Sequence, residues 1–550
     1  MFVRSKKNKE KRTYLQVVEN YWENGRSHQR VICTLGRLDI LKKTGKLDSL
    51  LRSAIRFSEK LAIIEACKNK ARTKANTIKI GPALVFEKLW KDLGIGKVFN
   101  YLLKNRKYEF KIERAIFLTV LHRLFCSGSD RSAEKWKEYY RIEGVEEIEL
   151  HQLYRAMAWL GEELKEQEDA TGFSPRCTKD LIEEYLFGIR RNLLSSFDLV
   201  FFDTTSIYFE GEGGETIGQR GKSKDHRPDL KQIVVGVVLD NEGNPVCCEL
   251  WPGNTTDVQT LIPIVHRLKK RFGIGEICIV SDRGMISAET IERLESREYQ
   301  IKYILGARMR NQKEVKEDVL SRGGRFREVY PPRKKAKDPS PLKVKEIKVE
   351  ERRYIVCLNE EEARKDKADR EAIVASLKDK LKQGEKTLIS NKGYRRYLKT
   401  EGTHFSIDET RIKEEYRYDG KWVLRTNTKL KSEEVALKYK QLWMVEEIFR
   451  SMKSILETRP IYHKCDETIR GHVFCSFLGL ILRKGLQDGL EAKGYSNVEW
   501  DDVLRDLDNL HEIEEEFSGK KFIIREECRG VSGKVVQAAG VALPPTIREA

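Results

Sequence analysis

Asp198-Leu199-Val200-Phe201-Phe202-Asp203 is the stretch on which the fold turns: an apolar run, too short for a helix, closed by a carboxylate. Unbroken apolar runs of this length mark strands buried on both faces of an α/β sheet. The same figure returns at Glu276-Ile277-Cys278-Ile279-Val280-Ser281-Asp282. Between them lie the runs 231–239 (Lys-Gln-Ile-Val-Val-Gly-Val-Val-Leu) and Pro245 to Trp251, parted by the turn Asp240-Asn241-Glu242-Gly243. A helical stretch follows through Lys270, in which Pro263 predicts a kink or a late start. A helix over 288–297 and a strand over 300–305 complete the order β-β-β-α-β-α-β.

Open α/β sheets gather their active groups at the carboxyl ends of strands. If the first and fourth strands are neighbours, Asp203 and Asp282 converge there. Two carboxylates alone repel, and a divalent cation makes the pair useful, because hard Mg²⁺ takes carboxylate and phosphate oxygens together. Two such ions about 3.5–4 Å apart serve phosphodiester cleavage. The plainer reading of each Asp is a turn cap. A third carboxylate lies in the helix predicted over Ser432 to Leu456. At about 100° per residue, Tyr439, Arg450 and Lys453 fall within about 40° of Glu446, whereas Glu447 points about 100° away. One face carrying a phenol, a carboxylate and two cations suits a metal beside a phosphate backbone. The alternative is a solvated polar stripe, and Leu442 and Phe449 on the same stripe keep it open.

Outward from this core, residues 1–80 read as a basic arm (Arg4 to Arg12), a hairpin (14–22 and 29–36 about Asn24-Gly25) and a helix over 47–72. The arm is either a DNA-binding arm or a disordered tail. Residues 81–192 are helical by apolar spacing, and their cations Arg131, Lys135, Lys137 and Arg155 suit recognition of DNA ends. The catalytic α/β unit spans 193–310 and resumes, with the Glu446 helix, over 431–490. Residues 311–430 form a strand-rich, highly charged insertion with a helix over 366–382 and a strand at Lys421-Trp422-Val423-Leu424. A C-terminal region of mixed pattern covers 491–550. With 550 residues, a net charge of +18 and 35% charged residues, the chain should hold several units and favour an acidic polymer as partner. No apolar run approaches the roughly 20 residues of a membrane span, and the start lacks the apolar core of a signal peptide. A cytoplasmic protein without membrane contact is expected. Eleven scattered cysteines without a C-x-x-C pair argue against disulfides and zinc.

These motifs resemble those of the DDE transposases of bacterial and archaeal insertion sequences, in the group typified by insertion sequence four and its elongated subgroup. That family's third motif reads Tyr, two residues, Arg, three residues, Glu, six residues, Lys; here Tyr439, Leu442, Glu446 and Lys453 hold those places. Leu442 departs from the pattern, and Arg450 is a candidate replacement for the missing cation. Phe202-Asp203-Thr204-Thr205-Ser206 resembles the first motif and Ser281-Asp282-Arg283-Gly284-Met285 the second. Residues 221–229 (Gly-Lys-Ser-Lys-Asp-His-Arg-Pro-Asp) and 252–257 (Pro-Gly-Asn-Thr-Thr-Asp) resemble linking signatures of the group, and 449–453 and 459–463 resemble its elongated subgroup.

The resemblance implies an RNase H-like mixed sheet with flanking helices, a β-rich insertion and a helical N-terminal DNA-binding region. It implies Asp203, Asp282 and Glu446 as ligands of two Mg²⁺ ions (Mn²⁺ substituting), and Tyr439 and Lys453 as contacts to terminal DNA phosphates. Arg450, Arg283, His226 and Arg227 are further DNA-contact candidates. Trp422 either stacks on a flipped base, as an aromatic does in relatives that form hairpins, or is an ordinary strand Trp. The implied partners are terminal inverted repeats, target DNA and a second copy of the chain at synapsis. An inactive DNA-binding derivative and a nuclease without strand transfer are the rival readings. Gly221-Lys222-Ser223 is no phosphate-binding loop, since Thr216 stands where the earlier Gly is required. Thr205 likewise excludes an aspartyl-phosphate phosphatase.

Overall fold

The apolar run at residue 199 forms β5 (Leu199–Tyr208) of a nine-stranded sheet, and both of its faces are covered. Leu199 and Phe201 pack into one core shared with the N-terminal helices and with the helix Asp466–Ala492. Val200 and Phe202 pack into a second core beneath the helix Asp257–Phe272. A computed structural model describes all residues except 24–25, 56–74, 172–173, 192–198, 274–276, 336–337, 384–395, 402–403, 518–519 and 550. The Asn24-Gly25 turn, residues 56–72 of the predicted first helix, and the acids Asp198 and Glu276 lie outside the described residues.

The first strands of the chain are β1 (Phe2–Lys7), β2 (Thr13–Glu23) and β3 (Arg26–Arg37), paired antiparallel in that order. The basic arm is therefore β1 and its turn, where an extended arm or a tail was expected. Strand β4 (Ala75–Lys79) follows, and then the expected helical region, including Gly81–Asp92, Ile112–Phe125, Leu150–Gly161 and Thr178–Arg191.

After β5 come β6 (Gln232–Leu239), β7 (Pro245–Pro252), β8 (Cys278–Ser281) and β9 (Lys302–Gly306). They lie in the order β7-β6-β5-β8-β9, with β5, β8 and β9 parallel. This is an RNase H-like mixed sheet between two helical layers. Pro263 lies inside the helix, which already begins at Asp257, so the helix does not start late.

The segment 311–430 supplies β10 (Arg327–Tyr330), β11 (Leu342–Val349), β12 (Arg352–Leu358) and β15 (Lys421–Thr426), together with a small hairpin of β13 (Leu398–Glu401) and β14 (His404–Ile407). Strand β15 pairs with β9, so four strands of the insertion continue the central sheet. The helix within it runs Glu360–Gln383. Beyond residue 490, β16 (His511–Phe517) pairs with β17 (Lys520–Arg525) and with β4, and β18 (Ile547–Glu549) completes that sheet.

What fixes the helical layer to the back of the sheet is buried charge. Glu249 of β7 accepts from Arg267 Nε and Arg271 Nη1, both at 2.9 Å; Arg267 also reaches Asp180 at 2.8 Å and Arg271 reaches Glu183 at 2.6 Å. Lys179 closes the set on Asp180 at 2.6 Å. Three cations meet three carboxylates, all essentially out of solvent.

Candidate active site

Strands β5 and β8 run parallel with Phe201 opposite Val280. Asp203 and Asp282 each follow two residues later and therefore come level. The β5–β8 ladder ends at Phe201 and Val280, so both carboxylates stand just past the last paired residues. Side chains alternate along a strand, and Asp203 shares a face with Leu199 and Phe201, as Asp282 does with Cys278 and Val280. All four apolar residues belong to the core that also contains Val445 and Phe449 of the helix Trp443–Arg450. Burial pushes the Asp203 carboxyl up to about 6, the charges of Asp282 and Asp257 add to the rise, and Lys224 opposes it. The Thr204 N–H donates to Asp203 Oδ1 at 2.7 Å.

Strand β5 outlasts β8, which leaves the Thr204 carbonyl without a strand partner on that side. Lys224 fills the place: its Nζ donates to Thr204 O at 2.7 Å and to Thr204 Oγ1 at 3.0 Å, and pairs with Asp257 at 3.2 Å. Thr204 Oγ1 in turn donates to Asp257 Oδ1 at 2.7 Å. Sequence reasoning missed Lys224 and Asp257, although both stood inside the two linking signatures.

The Tyr439 hydroxyl donates to Asp282 Oδ1 at 3.0 Å. Gly306 at the end of β9 permits this, because a Cβ there would lie 2.5 Å from the Tyr439 hydroxyl oxygen. Burial and the Asp282 charge raise the proton affinity of the phenol. The predicted continuous helix over 432–456 is instead three pieces: Ser432–Lys440, Trp443–Arg450, and a wider turn over Ser451–Ile455. Leu442 N bonds to Tyr439 O and Val445 N to Leu442 O, three-residue steps that advance faster than 100° per residue. The angular count from Tyr439 to Glu446 is shifted accordingly. Glu446 is exposed, without a hydrogen bond or ion pair among the described residues, on a helix packed across β5 and β6. Leu442 is buried in the core.

The remaining candidates separate. Lys453 faces a carboxylate of its own chain: its Nζ donates to Asp225 Oδ1 at 2.7 Å, and the same oxygen accepts from Arg459. Arg450 is exposed and without an ion pair among the described residues. The structure thus brings Arg459, which the sequence reading passed over, next to Lys453. Arg227 pairs with Asp229 at 3.0 Å and stacks on Tyr208, while His226 is exposed with φ +58°. Arg283 is exposed beside a cavity of about 410 Å³ lined also by Lys222, Arg308 and Arg310. Arg308, another residue missed, holds the carbonyls of Arg283 and Gly284 at 3.0 and 2.9 Å. Trp422 lies on β15, half-buried against the main core, with its indole N–H buried and unpaired.

Residues 195–482 match the family model of the transposase DDE domain, and residues 2–79 match that of the IS1634 family transposase N-terminal domain. The chain belongs to the DDE transposases. No curated protein matches it. A piggyBac transposase solved as a synaptic complex with hairpin DNA is similar at 11% identity, over 78% of this chain and 79% of that one, with a TM-score of 0.37, a likeness too distant to inform the site.

A DDE transposase acts on DNA and depends on a divalent metal, and the residues at the end of the β5–β8 ladder fit such an ion. Two carboxylates stand on one face and offer hard oxygen ligands, and a cation between them would offset the burial that raises the Asp203 carboxyl to about 6. A second cluster, Asp130, His463 and His472, has suitable atoms within 4.8 Å of one another. There, however, Arg123 approaches His472 Nδ1 at 2.8 Å and donates to the His472 carbonyl, so a guanidinium already occupies the lone pair that a metal would need. Its role is to tie the segment 458–465 to the helices around it. No helix among the described residues is long and apolar enough to cross a membrane.

Proposed function

We propose that this transposase cuts at the terminal inverted repeats of its own element and transfers the freed 3′ ends to target DNA, with Asp203, Asp282 and Glu446 holding two Mg²⁺ ions, for which Mn²⁺ substitutes. The observation that carries the reading is the level placement of Asp203 and Asp282 on neighbouring parallel strands, beneath the helix that bears Glu446. Bound Mg²⁺ supplies Lewis-acid stabilisation of charge on the phosphodiester oxygens. Tyr439 fixes the orientation of Asp282, and Lys224 fixes the backbone next to Asp203. The attacking groups are water and a DNA hydroxyl, so no covalent link to the protein forms. Lys222, Arg283 and Arg308 line a cationic wall for the strand beside the carboxylates.

In the same reading, the catalytic unit spans 193–310 and 431–490, with the insertion at 311–430. Residues 81–192 recognise DNA ends, and two copies act at synapsis in the cytoplasm, on the nucleoid. The elongated subgroup of insertion-sequence-four relatives is our assignment from residues 449–453 and 459–463. One observation favours the reading of a DNA-binding protein that does not cut: the motif's usual Arg is the buried Leu442. Linear DNA carrying the flanking repeats, incubated with Mg²⁺ or with EDTA, separates them. Mg²⁺-dependent cuts at the repeat ends, absent in Asp203→Asn and Glu446→Gln, are expected. Tight binding without cutting would establish the second reading, and cutting that survives Glu446→Gln would remove that residue from the site.

A further inference from the structure

The cations that face Asp225 are more than a structural salt bridge needs. Lys453 Nζ (2.7 Å) and Arg459 both converge on one oxygen, Oδ1, of a carboxylate whose side chain is only 4% exposed. Its other oxygen, Oδ2, is buried and accepts no hydrogen bond. Compare Asp180 behind the sheet, whose two oxygens are both used, by Lys179 and Arg271 on one and by Arg267 and the Cys177 N–H on the other. Asp225 is thus a single negative charge, half satisfied, between two positive ones. A third cation stands close by, since the Arg227 and Arg459 guanidinium groups both lie over the Tyr208 ring, at 5.5 and 6.0 Å.

The loop that carries Asp225 is anchored next to it, where the Lys224 N–H donates to Ser206 Oγ at 2.7 Å. Ser223 Oγ accepts the N–H groups of Asp225 (3.2 Å) and Arg227 (3.1 Å). His226, the very next residue, sits at φ +58°, a conformation that a side-chain-bearing residue rarely adopts. Such strain persists only where the surroundings impose it, and it gathers at ligand clamps and switches. Here the Ser223 Oγ bonds to the N–H groups on either side of His226 hold the turn.

We propose that Lys453 and Arg459 form a binding site for a phosphodiester of the DNA strand, and that Asp225 fills it as an internal stand-in until DNA displaces it. The inference rests on the reading of this face as the DNA-cutting site, and it adds a residue that opposes binding and a second cation that supports it. A phosphate presents two non-bridging oxygens to the pair, one for the ammonium and one for the planar guanidinium, where Asp225 can offer Oδ1 alone. Because Lys224 of the same loop grips Thr204 beside Asp203, a strand that takes the place of Asp225 also acts on the backbone that positions the first carboxylate.

The test uses the full chain and generic linear duplex DNA in EDTA, so that binding is read without cutting. Removing the competing charge in Asp225→Asn should tighten binding roughly fivefold to tenfold near 0.1 M salt. The slope of log affinity against log salt should stay unchanged, because the same phosphate is engaged once Asp225 has been displaced. Arg459→Gln should weaken binding and make that slope shallower by about one unit. A folded Asp225→Asn protein that binds no tighter than the native chain overturns the proposal. If Asp225→Asn does not fold, an unchanged salt slope in Arg459→Gln overturns it equally. Should the native protein cut repeat ends while these variants bind like the parent, the proposal fails and the functional reading stands. If the native protein binds no duplex at all, both fall.

Discussion

Behind the central sheet, Lys179, Arg267 and Arg271 meet Asp180, Glu183 and Glu249, with Asp169, Glu184 and Arg176 joined to them, in a network where every carboxylate faces a cation. In front of it, Asp203 and Asp282 stand side by side with Lys224 as the nearest cation, and Glu446 makes no ion pair among the described residues. Both groups are built on one sheet, the rear one from β7 and two helices and the front one from β5 and the end of β8, yet only the front one is short of positive charge. Buried charge that is balanced fixes two layers in one arrangement, whereas buried charge left unbalanced is a standing demand for a ligand. The two functions need opposite bookkeeping, and the sheet keeps them on opposite faces.

The sharpest way to break the comparison is to remove the front charges. Asp203→Asn and Glu446→Gln should each lower Mg²⁺-dependent cutting of repeat ends by on the order of a thousandfold or more, while thermal melts show no loss of stability. Removing a rear carboxylate should do the reverse. Glu249→Gln leaves two buried guanidinium groups short of a partner and should cost about 3–5 kcal/mol in urea unfolding; a folded fraction of this variant should still cut.

A smaller effect concerns pH. Asp203 is raised to about 6 from an ordinary 3.8, so the folded, ion-free protein holds a proton there that the unfolded chain has released. Stability should therefore fall as pH rises from about 4 to about 6, by on the order of 2–3 kcal/mol at most. The fall should be absent in Asp203→Asn and reversed by Mg²⁺ at neutral pH; equal pH profiles for the two proteins would break the assignment. The smallest is Tyr439→Phe, which removes one hydrogen bond to Asp282 and should slow cutting about tenfold, near 1 kcal/mol, without altering duplex affinity in EDTA.

What could be read from the sequence was whatever a short stretch encodes by itself. The runs before Asp203 and Asp282 are apolar throughout because β5 and β8 are covered on both faces, and that pattern carries strand, burial and site together. Missed were features set by distant partners. Nothing local in Lys421-Trp422-Val423-Leu424 says that it will pair with β9 and make the insertion an extension of the main sheet. The pairing of Lys453 with Asp225 joins residues 228 positions apart, so a lysine read as open to DNA lies 13% exposed on a carboxylate. The break at Gln441-Leu442 carries no Gly or Pro to announce it, and a count at 100° per residue ran through it. The basic arm read as mobile because its charges suggest so, while its pairing with β2 is a matter of backbone hydrogen bonds.

The small sheet that joins β4 to β16 also sets a timetable. Strand β4 is made early and its partner more than four hundred residues later, so at about 5–20 residues per second it waits roughly 20–90 s on the ribosome with an open edge. The α/β unit between them can close before that moment. Strand β4 is therefore moored on this edge only after the α/β unit that separates it from β16 has been made.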